Sequence, residues 1–151
     1  MIKTQAIILK KAGSNEKDQL LTIYSEELGK IFISAKGTKK LESKLRYSIE
    51  PISFVQLILV EGKNFLILKD AFLIDQFLNI KKDLEKLKKA NQLNDLINNA
   101  FPEQEKDQDV WKLILKTFKD LDKKVINIKE FEKDLIQLLG YDKDMDLKDI
   151  Y

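Results

Sequence analysis

The sequence predicts an α+β protein, a five-stranded N-terminal β-barrel packed against a C-terminal α-helical domain. Three observations carry this. Four of the five glycines (Gly13, Gly29, Gly37 and Gly62) fall in the first half and punctuate short β-branched runs. Beyond about residue 78 the apolar spacing changes from period two to helical spacing. With 151 residues, 44% of them hydrophobic, the chain has material for one ordinary domain or two small units sharing a core. The boundaries read as 1–78 for the barrel and 79–151 for the helices.

The strands come first. Thr4 to Lys11 is apolar and β-branched around Ile7, Ile8 and Leu9. The polar run Gly13-Ser14-Asn15-Glu16-Lys17-Asp18 reads as a turn, and Leu20 to Ser25 as the next strand. Glu27-Leu28-Gly29-Lys30 is a tight connection. From Lys30 to Lys36, Ile31, Ile33 and Ala35 face one way while Lys30, Phe32, Ser34 and Lys36 face the other. A polar loop runs from Gly37 to Pro51. Ser53–Val60 and Asn64–Ile74 then form a hairpin turning at Glu61-Gly62-Lys63. Five short strands with one long loop after the third suit the OB-fold, with an SH3-like barrel as the alternative by pattern. The last two strands are apolar on both faces, so one face fills the barrel and the other needs a cover. The helices are expected to supply it.

The first helix is predicted from the recurrence of Ile80, Leu84, Leu87, Ala90, Leu93, Ile97 and Ala100, ending at Pro102. Val110, Ile114, Phe118 and Leu121 mark a second, with Trp111 and Leu115 beside the stripe and Trp111 and Phe118 expected in the core. A third starts at Asn127, with Glu130 as a capping-box partner. It buries Ile128, Phe131, Leu135 and Leu138–Leu139 and ends at Gly140.

Composition removes several kinds of chemistry. There is no cysteine and no histidine, which excludes disulfides, a thiol nucleophile, Cys-ligated zinc and an imidazole base. Carboxylates interleave with lysines as on solvated helix faces. Asp142, Asp144 and Asp146 look like the start of a calcium loop, but Leu147 stands where glycine is required. No phosphate-binding glycine loop occurs. The expectation is a protein that is not an enzyme, with no metal and no cofactor. No apolar run reaches the roughly 20 residues of a membrane span, and the N-terminus lacks a signal-peptide pattern, so the expected location is cytoplasmic.

The net charge is only +2, but it is uneven. Residues 1–78 hold 12 basic and 9 acidic side chains, a balance of +3, against 15 and 16 in the remainder. Lysine outnumbers arginine 26 to 1, a sign of AT-rich coding that discounts lysine runs and sets the single arginine, Arg46, apart. The densest cationic stretch is Lys36 to Arg46, with Lys36, Lys39, Lys40, Lys44 and Arg46 against one acid. Loops of OB-folds commonly grip oligonucleotides, and ammonium groups attract phosphate regardless of sequence. Arg46 has the fork to grip a phosphate or stack on a base, and Tyr47 has a ring to stack. Lys30 and Phe32 share a strand face as a base platform beside charge. A protein-interaction adaptor whose basic loop binds acidic tails, and an RNA-binding module, remain open as alternatives.

Thr4-Gln5-Ala6-Ile7-Ile8-Leu9-Lys10, Glu16-Lys17-Asp18-Gln19-Leu20-Leu21-Thr22 and Glu27-Leu28-Gly29-Lys30 resemble the opening of the RecO family of bacterial recombination and repair proteins. Ala35-Lys36-Gly37, Ser43-Lys44-Leu45-Arg46 and Glu50-Pro51 fit its next block. Phe131-Glu132 through Leu135 and Leu138-Leu139-Gly140-Tyr141 resemble its helical signature. The resemblance implies an OB-fold on a helical domain that binds single- and double-stranded DNA and anneals complementary strands. It also implies help in loading RecA onto strands coated by single-stranded-DNA-binding protein, together with RecR. Lys36, Lys39, Lys40, Lys44 and Arg46 then fall in the family's basic segment. Asn15 and Lys17 depart from the glycine and serine expected around Glu16. The cysteine-ligated zinc module of many relatives has no counterpart here, as expected of a short form or a fragment.

Overall fold

The computed structural model describes residues 1–13, 18–36, 48–101 and 105–140. The expected turn at 14–17, the basic segment 37–47, Pro102 and everything after Gly140 lie outside the described residues, as do the side chains of Asp18 and Lys36. Two compact units are formed, Met1–Gln76 with Pro102–Lys106, and Phe77–Phe101 with Asp107–Tyr151.

The first unit is a closed barrel of β1 (Ile2–Ala12), β2 (Asp18–Ser25), β3 (Gly29–Lys36), β4 (Ser53–Val60) and β5 (Leu66–Asp75). Around the barrel the order is β1-β2-β3-β5-β4. This is the OB-fold, and the class is α+β. β1 is long because it serves two partners. It pairs with β4 over Ile2–Ile8 and with β2 from Ala6 to Ala12, and a register shift between Ile8 and Lys10 lets it bend. Closure comes from β3 and β5, which pair in parallel at Ile33↔Leu66 and Ser34↔Ile67.

Strand periodicity decides what fills the barrel. Ile31, Ile33 and Ala35 of β3 join Leu21 and Ile23 of β2, Ala6 and Ile8 of β1, and Val55, Leu57 and Leu59 of β4 in one core cluster. The side-chain alternation of β3 is the one its sequence predicts. Ile52, just before β4, holds φ at 61°, a costly value for a β-branched residue. Its N–H donates to the Ile8 carbonyl at 2.8 Å, and its side chain is buried.

The β2–β3 turn is tied from several sides. Leu28 N–H donates to Ser25 Oγ at 3.0 Å, and Ser25 Oγ–H donates to the Gly29 carbonyl at 3.0 Å. Glu27 N–H donates to Thr4 Oγ1 at 3.1 Å. Gly29 has φ +69°, and a Cβ there would lie 2.8 Å from the carbonyl carbon of Glu105. Only glycine fits both conditions.

The second unit holds α1 (Leu78–Lys82), α2 (Leu84–Ala100), α3 (Gln108–Lys123) and α4 (Ile128–Leu138). The stripe from Ile80 to Ala100 predicts one helix, but two are found. Asp83 is extended, and its carboxylate accepts from the backbone N–H groups of Glu85 and Lys86, so it caps α2 instead of continuing α1. Leu84, just beyond the break, is 69% exposed instead of buried. Ile80, Ala90, Leu93, Ile97 and Ala100 of that stripe are buried, Leu87 is half-buried, and Trp111 and Phe118 lie in the core. Asn127 caps α4 as expected, accepting from Lys129 N–H at 3.0 Å, and Gly140 follows the helix with φ 84°.

Candidate nucleic-acid interface

On a barrel of this order, the outer face of β2 and β3 and the β1–β2 and β4–β5 connections surround the surface where oligonucleotides bind. The β2–β3 register sets that face. Thr22 stands opposite Phe32, Tyr24 opposite Lys30 and Leu20 opposite Ser34. These pairs alternate with the core residues Leu21, Ile23, Ile31 and Ile33.

Much of this face is covered. Tyr24 is 1% exposed, Thr22 8% and Lys30 9%. The Lys30 ammonium sits 5.8 Å from the centroid of the Phe32 ring, within cation–π range. The structure therefore brings Lys30 and Phe32 together, as the strand alternation predicts, with the lysine nearly buried. Lys36 ends β3. Lys39, Lys40, Lys44, Arg46 and Tyr47 lie outside the described residues.

At the end of this face Leu20 is half-buried and Ser34 is buried. There a cleft of about 550 Å³ is lined by Gln19, Leu20, Ser34, Lys63, Asn64, Phe65 and Ile67. Its far wall is the β4–β5 connection, where Lys63, Asn64 and Phe65 are all exposed, Phe65 at 43%. Gly62 makes the connection tight, since a Cβ on it would come 2.7 Å from Ile67 Cγ1 and against the Phe65 carbonyl. Gln19, which pairs with the core residue Ala35, also lines the cleft, and its buried Oε1 has no hydrogen-bond donor among the described residues.

Sequence reasoning did not single out Gln19, Lys63, Asn64 or Phe65. It placed Phe65 within a strand from Asn64, whereas β5 starts at Leu66 and leaves Phe65 on the turn. The signal was available in the barrel itself, because the β4–β5 connection of an OB-fold flanks the binding face. Among the described residues no cluster of carboxylates could hold a metal ion, and no helix is long and apolar enough to cross a membrane.

The comparisons agree with this architecture. A family model described as "Recombination protein O N terminal" matches residues 1–77. The DNA repair protein RecO of Thermoanaerobacter sp. is 29% identical over 150 residues, which is 97% of this chain and 60% of that protein. The DNA repair protein RecO of Clostridium novyi is 28% identical over 97% of this chain and 59% of its own length. That of Clostridium perfringens is 30% identical over 93% of this chain and 59% of its own. The chain thus spans about three-fifths of these relatives. A family match over the whole barrel, on a chain that folds as an OB-fold followed by helices, means that this protein belongs to the RecO family.

Proposed function

We propose that this chain is a non-enzymatic DNA-binding module of recombinational repair, which binds single- and double-stranded DNA and promotes annealing. The observation that carries the reading is family membership on an OB-fold barrel whose β2–β3 face ends in a cleft lined by Lys63 and Phe65. The cationic stretch from Lys36 to Arg46 adds the charge.

The mechanism follows from electrostatics. Two complementary strands repel through their phosphates. Lysine ammonium groups and the Arg46 guanidinium neutralise part of that charge and release condensed counterions. Base pairing then supplies the free energy of annealing, so neither a cofactor nor nucleotide hydrolysis is required. Help in loading RecA with RecR, on strands coated by single-stranded-DNA-binding protein, is the finer part of this reading and rests on the family alone.

Charge reversal of Lys39, Lys40 and Lys44 tests it, with DNA and RecR assayed side by side. Loss of DNA affinity with RecR binding retained is expected. Loss of RecR binding with DNA affinity retained would instead favour an adaptor whose basic loop holds acidic tails. Competition between DNA and RNA oligomers addresses the RNA alternative, because phosphate contacts alone do not distinguish the sugar.

A further inference from the structure

We infer that the cleft between the ends of β2 and β3 and the β4–β5 turn is a pocket for an unpaired nucleobase. Phe65 is its stacking platform and Lys63 its phosphate contact. The inference rests on the nucleic-acid reading above and narrows this site to single strands.

The volume fits. A cleft of about 550 Å³ falls inside the roughly 300–1,000 Å³ range of sites that enclose small ligands. The chemistry fits as well. Phe65 lines the cleft and leaves 43% of its surface in solvent. An exposed phenylalanine has no need of a partner by itself, but this one lines a concave site together with an exposed lysine and the polar side chains of Ser34 and Asn64. An aromatic face beside a cation is the pairing that holds single strands without regard to sequence.

Selectivity for single strands follows from where a base presents its face. In a duplex the faces are stacked on their neighbours and only edges point into the grooves. Reaching a face then requires unstacking a step, which costs a few kcal/mol.

The test uses the 151-residue chain with a fluorescein-labelled oligo-dT and a hairpin duplex of equal length. Phe65→Ala is expected to lose about 5- to 150-fold in affinity for oligo-dT, the effect of one stacked base. Its affinity for the hairpin is expected to stay within about twofold. Phe65→Trp is expected to keep the affinity and to show indole quenching on adding oligo-dT, while the buried Trp111 gives a constant background. Wild-type affinity for oligo-dT in Phe65→Ala overturns the pocket, as does an equal loss on both substrates. If Phe65→Ala melts early, Phe65→Trp decides, and no quenching overturns the pocket. Failure of the wild type to bind either substrate overturns the nucleic-acid reading itself, and the pocket with it.

Discussion

Gln19 is a residue held at a cost. An enclosed acceptor with no donor forfeits about 1–3 kcal/mol, and Gln19 Oε1 is one. Replacing it with an apolar side chain of similar length should recover part of that. We expect Gln19→Leu to melt at or above the wild-type temperature. A lower melting temperature would show that the amide is structural. Arg46 gives a second expectation at this scale. As the only arginine in a chain with 26 lysines, it supplies a planar fork that lysine cannot reproduce. Arg46→Lys should therefore weaken DNA binding more than Lys40→Arg does, and wild-type affinity in Arg46→Lys would end the argument. A fall in melting temperature on that substitution would point to an ion pair with a residue such as Glu50.

Turns and caps give the element-scale predictions, because here single residues fix whole strands and helices. Gly29 and Gly140 both have positive φ. A Cβ at Gly140 meets nothing within 4 Å, whereas one at Gly29 runs into the Glu105 backbone. Gly140→Ala should thus cost only the left-handed penalty of about 1–2 kcal/mol. Gly29→Ala adds displacement of a backbone segment and should cost more, about 2–4 kcal/mol by denaturant titration. Equal losses would mean that the segment at Glu105 yields freely. Phe77 offers a parallel case, fully buried at φ 50° and stacked on Phe118 at 6.0 Å. It heads α1 without a side-chain cap. Asp122 takes the role instead, accepting from Asn79 and Ile80 N–H at 3.1 and 3.2 Å.

These elements also show what was legible beforehand. Period-two alternation is legible in β3, whose Ile31, Ile33 and Ala35 fill the barrel, while the other strands are legible as β-branched runs between turn residues. The helical stripe missed the break at Asp83, since periodicity registers faces and not the competition of a short carboxylate for backbone N–H groups. Phe65 was misplaced for a related reason. A local apolar pattern cannot tell a strand's first residue from a turn's last, and only the closed barrel brings the β4–β5 turn beside the ends of β2 and β3.

For the whole molecule the DNA-binding proposal turns on how many phosphates are neutralised, and net charge does not give that number. A protein at +2 looks indifferent to DNA, yet the cationic stretch from Lys36 to Arg46 concentrates five basic groups on one segment. Each single-strand phosphate contact contributes roughly 0.7 to the slope of log affinity against log salt. Five contacts from Lys36, Lys39, Lys40, Lys44 and Arg46 give a slope of about −3.5. A sixth from Lys63 at the cleft deepens it to about −4.2. A salt series on wild type and Lys63→Ala separates the two contributions. The expected result is a steep wild-type slope that becomes shallower by roughly 0.7 in the variant, with annealing accelerated in the same salt range. An unchanged slope in Lys63→Ala would remove the phosphate contact from the cleft and leave the basic segment to act alone. A flat wild-type slope would mean that the charge serves protein partners. Affinity at one salt concentration cannot make this distinction, because a basic protein binds DNA weakly whether or not binding is its function. The slope counts contacts, and only a count assigns them to residues.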